Sequence, residues 1–100
     1  MRLAIVVSSD RNLRHVVGLT TAAAGKGHQV SLFAMDSGTR LLAEPACAGL
    51  SKLAGVSMSV CEHSAAGHGV TREGLPGEIV WGSQYHNAVM THDADRVLVL

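Results

Sequence analysis

The sequence predicts an α/β domain built on a parallel sheet, and three observations carry that prediction. Leu3-Ala4-Ile5-Val6-Val7 and Val97-Leu98-Val99-Leu100 are continuous apolar runs without alternation, the mark of strands buried on both faces. Strand-like and helix-like segments alternate along the whole chain, as in successive strand–helix–strand units with helices on both faces of one sheet. Gly and Pro punctuate the joins between segments. A chain of 100 residues has room for one such domain, spanning residues 1–100, with one core.

Taken in order, the first strand stops at Ser8-Ser9-Asp10, which also supplies N-cap candidates for the helix that follows. Leu13, Val16, Val17, Thr20 and Ala24 recur at helical spacing, with Arg11, Arg14 and His15 outside, and Gly27 closes the helix at or near C′. Gln29 to Met35 forms the second strand, ended by Asp36-Ser37-Gly38. A broken helical region follows: Leu41 and Leu42 first, then a stretch opened by Pro45 that carries Leu50, Leu53 and Ala54. Pro45 suits a first helical turn, where its missing N–H is not needed. Gly55 is the expected C′ residue before a third strand.

That third strand is the segment with chemistry in it. Val56, Met58 and Val60 alternate with Ser57 and Ser59, a period of two, and Cys61 closes the run. A short segment ending at Gly67 or Gly69 follows, then a polar stretch from Val70 to Gly77 that reads as loop. Glu78 to Trp81 is a short fourth strand. Ser83 caps a helix containing Tyr85, Ala88 and Val89, which His92-Asp93-Ala94-Asp95 ends, and Arg96 to Leu100 is the fifth strand.

Composition excludes several functions. Eight basic and eight acidic residues give a net charge of zero, and no Lys or Arg run exists to hold a nucleic-acid backbone. Phe33, Trp81 and Tyr85 are the only aromatics, too few for a base-stacking platform. The apolar start is too short for a signal peptide, and nothing reaches membrane-spanning length, so a cytoplasmic domain without a membrane partner is expected. Neutral charge favours self-association. The turn after the first strand has no glycine, so neither the dinucleotide fingerprint nor the phosphate loop is present and no cofactor is expected. Asp10 and Asp36 after strands lack the second acid and the Lys of a phosphoacceptor pocket; backbone amides near Asp10 remain able to hold an anion.

Cys61 sits where open α/β sheets gather chemistry, at the carboxyl end of a strand. Amides at the start of a following helix lower a Cys pKa from about 8.5 into the range of roughly 3.5 to 7.5. The polar neighbours Glu62, His63 and Ser64 suit a reactive thiol, whereas a small buried hydrophobe at a strand end is the plainer reading. His63 and His68 are candidate thiolate stabilisers. With His86 they could instead form a Cys/His metal site, although the spacing fits no zinc pattern and no metal is expected. A Glu62 side chain facing the sulfur opposes thiolate formation. Cys47, among small residues in a helix, reads as structural, and without a Cys-x-x-Cys no disulfide-exchange pair is formed.

The ordered pieces Leu3-Ala4-Ile5-Val6-Val7-Ser8-Ser9-Asp10, Gly27-His28-Gln29-Val30-Ser31-Leu32-Phe33, Ala54-Gly55-Val56-Ser57-Met58-Ser59-Val60-Cys61, Gly67-His68-Gly69-Val70 and Ala94-Asp95-Arg96-Val97-Leu98 together resemble the DsrE/DsrF-like family of small sulfur-relay proteins. The resemblance implies a three-layer α/β/α domain on a five-stranded parallel sheet and assembly into trimers or hexamers. It implies that Cys61 carries a persulfide, received from a donor protein's reactive Cys and passed to an acceptor's. An alternative on the same fold is a non-catalytic oligomeric subunit or a small-ligand-binding module, motivated by neutral charge, Glu62 and the missing second thiol.

Overall fold

The computed structural model describes residues 1–100. Its sheet comprises β1 (Arg2–Val7), β2 (Gln29–Ala34), β3 (Val56–Cys61), β4 (Val80–Gly82) and β5 (Arg96–Val99) in the order β4-β3-β2-β1-β5. Every pairing is parallel. The helices are α1 (Leu13–Gly25), α2 (Pro45–Ala48), α3 (Glu62–Gly67) and α4 (Gln84–Asp93), with 3-10 turns over Asp36–Ala43 and Gly49–Lys52 on either side of α2.

Register shows how the core is made. Ile5 pairs with Leu32 and Leu32 with Met58; Val7 pairs with Ala34 and Ala34 with Val60. Paired residues share a face, so these rows lie together, and they join Val16 of α1, Leu41, Leu42, Cys47, Leu50 and Ala65 in one apolar cluster. The opposite face carries the rows Val6–Phe33–Ser59–Val80 and Ala4–Ser31–Ser57. Only α4 crosses it, packing on β1 and β2. Phe33 is fully buried there, a contribution of about 1.5–3 kcal/mol from its apolar surface. The path explains the two layers. Steps from β1 to β4 run one way across the sheet, while β4 to β5 returns to the far edge, so right-handed crossovers put α4 on the opposite side from α1, α2 and α3.

The expected three-layer α/β/α architecture is therefore present, with local differences. The first helix begins at Leu13, with Asn12 at its cap and no side-chain cap bond. Ser8 and Ser9 do not cap it: their N–H groups donate to the Leu100 carbonyl at 2.8 and 3.2 Å. Those two amides are thus committed to closing the β1–β5 join and do not face an anion. The broken helical region is mostly 3-10, and at its start Gly38 lies so close to the Val7 carbonyl that a Cβ there would collide with it. Gly27 takes positive φ (84°) at C′ of α1, as expected. The second helical region ends at Lys52 with an extended Leu53 as its cap, short of the expected Leu53 and Ala54, so Gly55, at φ 82°, lies one residue beyond C′.

The fourth strand spans Val80–Gly82 rather than Glu78 to Trp81, and Ile79 just before it is buried in the core, 3% exposed. The apolar fifth strand is not buried on both faces. It is an edge strand all of whose residues are exposed, Val99 at 67%. An apolar run reads alike at the centre and the edge of a sheet; only strand order separates the two.

Candidate functional site

Cys61 is both the last residue of β3 and the N-cap of α3, with no connecting residue between strand and helix. Met58 and Val60 point into the core, so the period of two turns Cys61 toward the Ser57–Ser59 side, where it pairs with Gly82 of β4. Its cap backbone is extended (φ −74°, ψ 113°), as an N-cap requires. Ala65, 1% exposed, anchors α3 on the core and fixes the direction of its first turn.

That turn aims donors at the sulfur. Burial raises the Cys61 pKa, but hydrogen bonding lowers it by more: the Ser64 hydroxyl and N–H, the His63 N–H and the Gln84 carboxamide all contribute. The net pKa lies below the ordinary thiol value of 9.0. None of these is a closed side-chain cap bond. Cys61 is only 5% exposed, and burial is the largest single effect on its thiol, outweighed by the hydrogen bonds together.

Glu62 does not face the sulfur. Its carboxylate accepts from the Arg72 guanidinium at 2.8 Å, and both side chains are exposed. Arg72 also lies over the Trp81 ring, 5.5 Å from its centroid, so one cation ties the 70–79 loop to α3 and β4 while holding the acid outward. Cys47 contrasts with Cys61: burial first, and Glu44 second, push its thiol up to about 11. No disulfide joins the two cysteines.

The structure brings His63 to the sulfur through its backbone N–H, with the residue itself exposed. His68 is the C-cap at the opposite end of α3. No three His, Cys, Asp or Glu side chains converge within ligating reach. Two residues at the site have no sequence signal. Gln84 is an ordinary first helical residue, and Met35 reads as the end of an apolar strand; their relation to Cys61 depends on β2, β3 and β4 lying side by side.

The most apolar cleft of the molecule lies elsewhere. About 410 Å³ opens beneath α4, lined by Ser31, Ser57, Ser59, Val80, His86 and Val89 among others, toward the amino ends of the strands and without Cys61. Its size belongs to a sheet face crossed by one helix. The chemistry of polarised sulfur lies at the carboxyl edge.

Comparison with known proteins places these features. The model of a family described as the DsrE/DsrF-like family matches residues 1–100. Among solved structures, the fold is similar to the YchN protein from E. coli, with a TM-score of 0.73 and 17% identity over 100% of this chain and 99% of that one. It is also similar to MTH1491 from Methanobacterium thermoautotrophicum, titled a protein of unknown function, with a TM-score of 0.72 and 16% identity over 99% and 98%. At these identities the likeness is one of fold. No curated protein sequence matches the chain. No helix is long and apolar enough to cross a membrane.

Proposed function

The chain belongs to the DsrE/DsrF-like family over its full length, and on that premise we propose that it is a sulfur-relay protein in which Cys61 carries a persulfide and passes it to a partner thiol. The observation that carries the reading is the Cys61 environment, a thiol at a strand end with its pKa lowered by donors from α3 and α4.

The donor set serves both halves of the exchange. In loading, the Cys61 thiolate attacks the outer sulfur of a donor persulfide; a new S–S bond forms, the donor's S–S bond breaks, and the donor Cys leaves as thiolate. In unloading, an acceptor thiolate attacks the outer sulfur of Cys61–S–SH, and the electron pair of the breaking bond returns to the Cys61 sulfur. No net oxidant or reductant is needed. A lowered pKa increases the thiolate available for the first step and makes Cys61 a better leaving group in the second, at some cost in intrinsic nucleophilicity. His63 acts here through its backbone. His68 and the two imidazole rings have no step assigned.

Partners in this reading are donor and acceptor proteins with reactive cysteines, and further copies of the chain. Exposed Val97 and Val99 on β5, with Val80 and Val89 on the side crossed by α4, supply apolar surface for self-association. The cleft beneath α4 favours a second reading, a small-ligand-binding module on the same fold.

Mass spectrometry after incubation with a persulfide donor tests the first reading. The expected result is a sulfur-sized mass increment on Cys61 that is absent from Cys61→Ser and from Cys47. An increment shared equally with Cys47, or no increment, would overturn it and leave the ligand-binding module.

A further inference from the structure

Helix α4 crosses one face of the sheet without sealing it, and none of its ten residues is buried. The cleft of about 410 Å³ beneath it falls in the size range of small-molecule sites, roughly 300–1,000 Å³. Half-exposed Val80 of β4, with Val89 and Met90 of α4, gives it apolar walls. Toward the amino ends of the strands the cleft runs into a second hollow, and Arg2, Gln29 and Asp93 line both.

The charges around those three side chains are already engaged. The Met1 amine meets His28 Nδ1 at 3.3 Å, the Asp95 carboxylate accepts the Arg2 N–H at 2.7 Å, and Arg96 donates to the Asp95 carbonyl at 2.8 Å. The ion pairs of the molecule, Arg40–Asp10 and Arg72–Glu62, involve neither the Arg2 guanidinium nor Asp93. One cation and one anion thus stand unpaired at the head of an apolar cleft.

Each charge is reinforced by its surroundings. Arg2 pairs with Gln29, and Ser31 lies in the next row of the same sheet face. Ser57 Oγ donates to Ser31 Oγ at 3.2 Å, which leaves the Ser31 proton free to donate and polarises it. Donors therefore gather on the Arg2 side. Asp93 is the last residue of α4, at the negative end of the helix dipole, where a carboxylate is unfavourable unless a cation meets it. Ala94 after it is extended (φ −78°, ψ 146°), and no backbone N–H from beyond the helix donates to the carbonyls of that last turn.

We infer that this cleft binds a free α-amino acid with an apolar side chain. Its carboxylate meets the donors of Arg2, Gln29 and Ser31, its ammonium meets Asp93 and the end of α4, and its side chain lies against Val80, Val89 and Met90. A zwitterion is the occupant that leaves neither charge unmatched: a plain carboxylate would meet Asp93 uncompensated, and a plain amine would meet Arg2. A flat apolar partner would bury both charges unpaired. This ligand class rests on the reading of the cleft as a small-ligand site and needs nothing of Cys61, which closes the opposite end of β3.

The test titrates the isotope-labelled full chain, followed by backbone amide shifts, with three probes that share a phenyl body. They are L-phenylalanine, 3-phenylpropionate, which lacks the ammonium, and 2-phenylethylamine, which lacks the carboxylate. L-Phenylalanine should shift the amides of Ser31, Ser57, Val80 and Val89 and bind about tenfold more tightly than either analogue, the effect of one hydrogen-bonded charge. Arg2→Gln should weaken L-phenylalanine about tenfold without weakening 2-phenylethylamine; Asp93→Asn should weaken it similarly without weakening 3-phenylpropionate. Both side chains are exposed, and the remaining amide shifts of each variant check that the fold is retained. Equal affinity for the three probes, or L-phenylalanine binding unchanged in both variants, overturns the amino-acid class and leaves the cleft to another small molecule. No shift at these amides with any probe overturns the ligand-binding reading itself. Shifts that appear on dilution of the protein alone, with no response to a probe, assign the face to a second copy and overturn both.

Discussion

The two cysteines should behave as opposites when pH is varied, and the structure sets the size of the difference. Cys47 lies in α2 at 3% exposure, and burial with the nearby Glu44 raises its pKa from 9.0 to about 11. That gap lowers its thiolate population near neutral pH about a hundredfold against an ordinary thiol, equivalent to about 2.7 kcal/mol. Cys61 is displaced the other way, so its thiolate population exceeds the ordinary one. Alkylation of the native protein near neutral pH should therefore mark Cys61 more than about a hundred times faster than Cys47. Timed iodoacetamide labelling with peptide mass mapping measures both rates across pH 6 to 10. Comparable rates at the two positions, or a Cys61 inflection above 9.0, would refute the argument that α3 and Gln84 polarise this sulfur.

The same displacement has a signature in stability, and its sign differs for the two residues. A pKa raised on folding contributes stability that is complete below the unfolded value and lost as pH rises through the folded one. Cys47 should thus weaken the fold between pH 9 and 11 by about 2.7 kcal/mol. A pKa lowered on folding does the reverse: the Cys61 contribution is present above the unfolded value and lost as pH falls through the folded one. Urea unfolding of Cys61→Ser protein isolates the first effect, and adding Cys47→Ala should remove that alkaline slope. A slope that survives Cys47→Ala would assign it to other groups.

Two further outcomes follow from packing around the site. Gly82 pairs with Cys61, and a Cβ there would occupy the His86 ring, which accepts the Ser83 N–H at 3.3 Å and completes the cap of α4. Gly82→Ala should cost about 0.5–2 kcal/mol in urea unfolding through loss of that cap, and should displace Gln84 enough to raise the Cys61 inflection; an unaltered alkylation profile would detach α4 from the site. On the proposed self-association, Val97→Lys with Val99→Lys should lower the number of copies per particle measured by sedimentation, whereas an unaltered particle would remove β5 from the contact.

Much of this molecule is legible in one dimension. The buried strands β1 and β2, the helix closed at Gly27, and the alternation that ends at Cys61 depend on local propensity and on the period of side chains along the chain, and the structure keeps all of them. The position of the thiol at a strand end is of the same kind. Strand order is different, because a parallel sheet pairs residues far apart in sequence. It turned the apolar fifth strand into an exposed edge, committed the Ser8 and Ser9 amides to Leu100, and brought Gln84 of α4 onto Met35 at the end of β2. The direction of Glu62 was likewise undetermined by its place next to the sulfur; Arg72, ten residues on, decides it. Local sequence thus determined which thiol stands at the edge of the sheet, and tertiary structure decided which groups surround it, since those groups meet only when β2, β3 and β4 align.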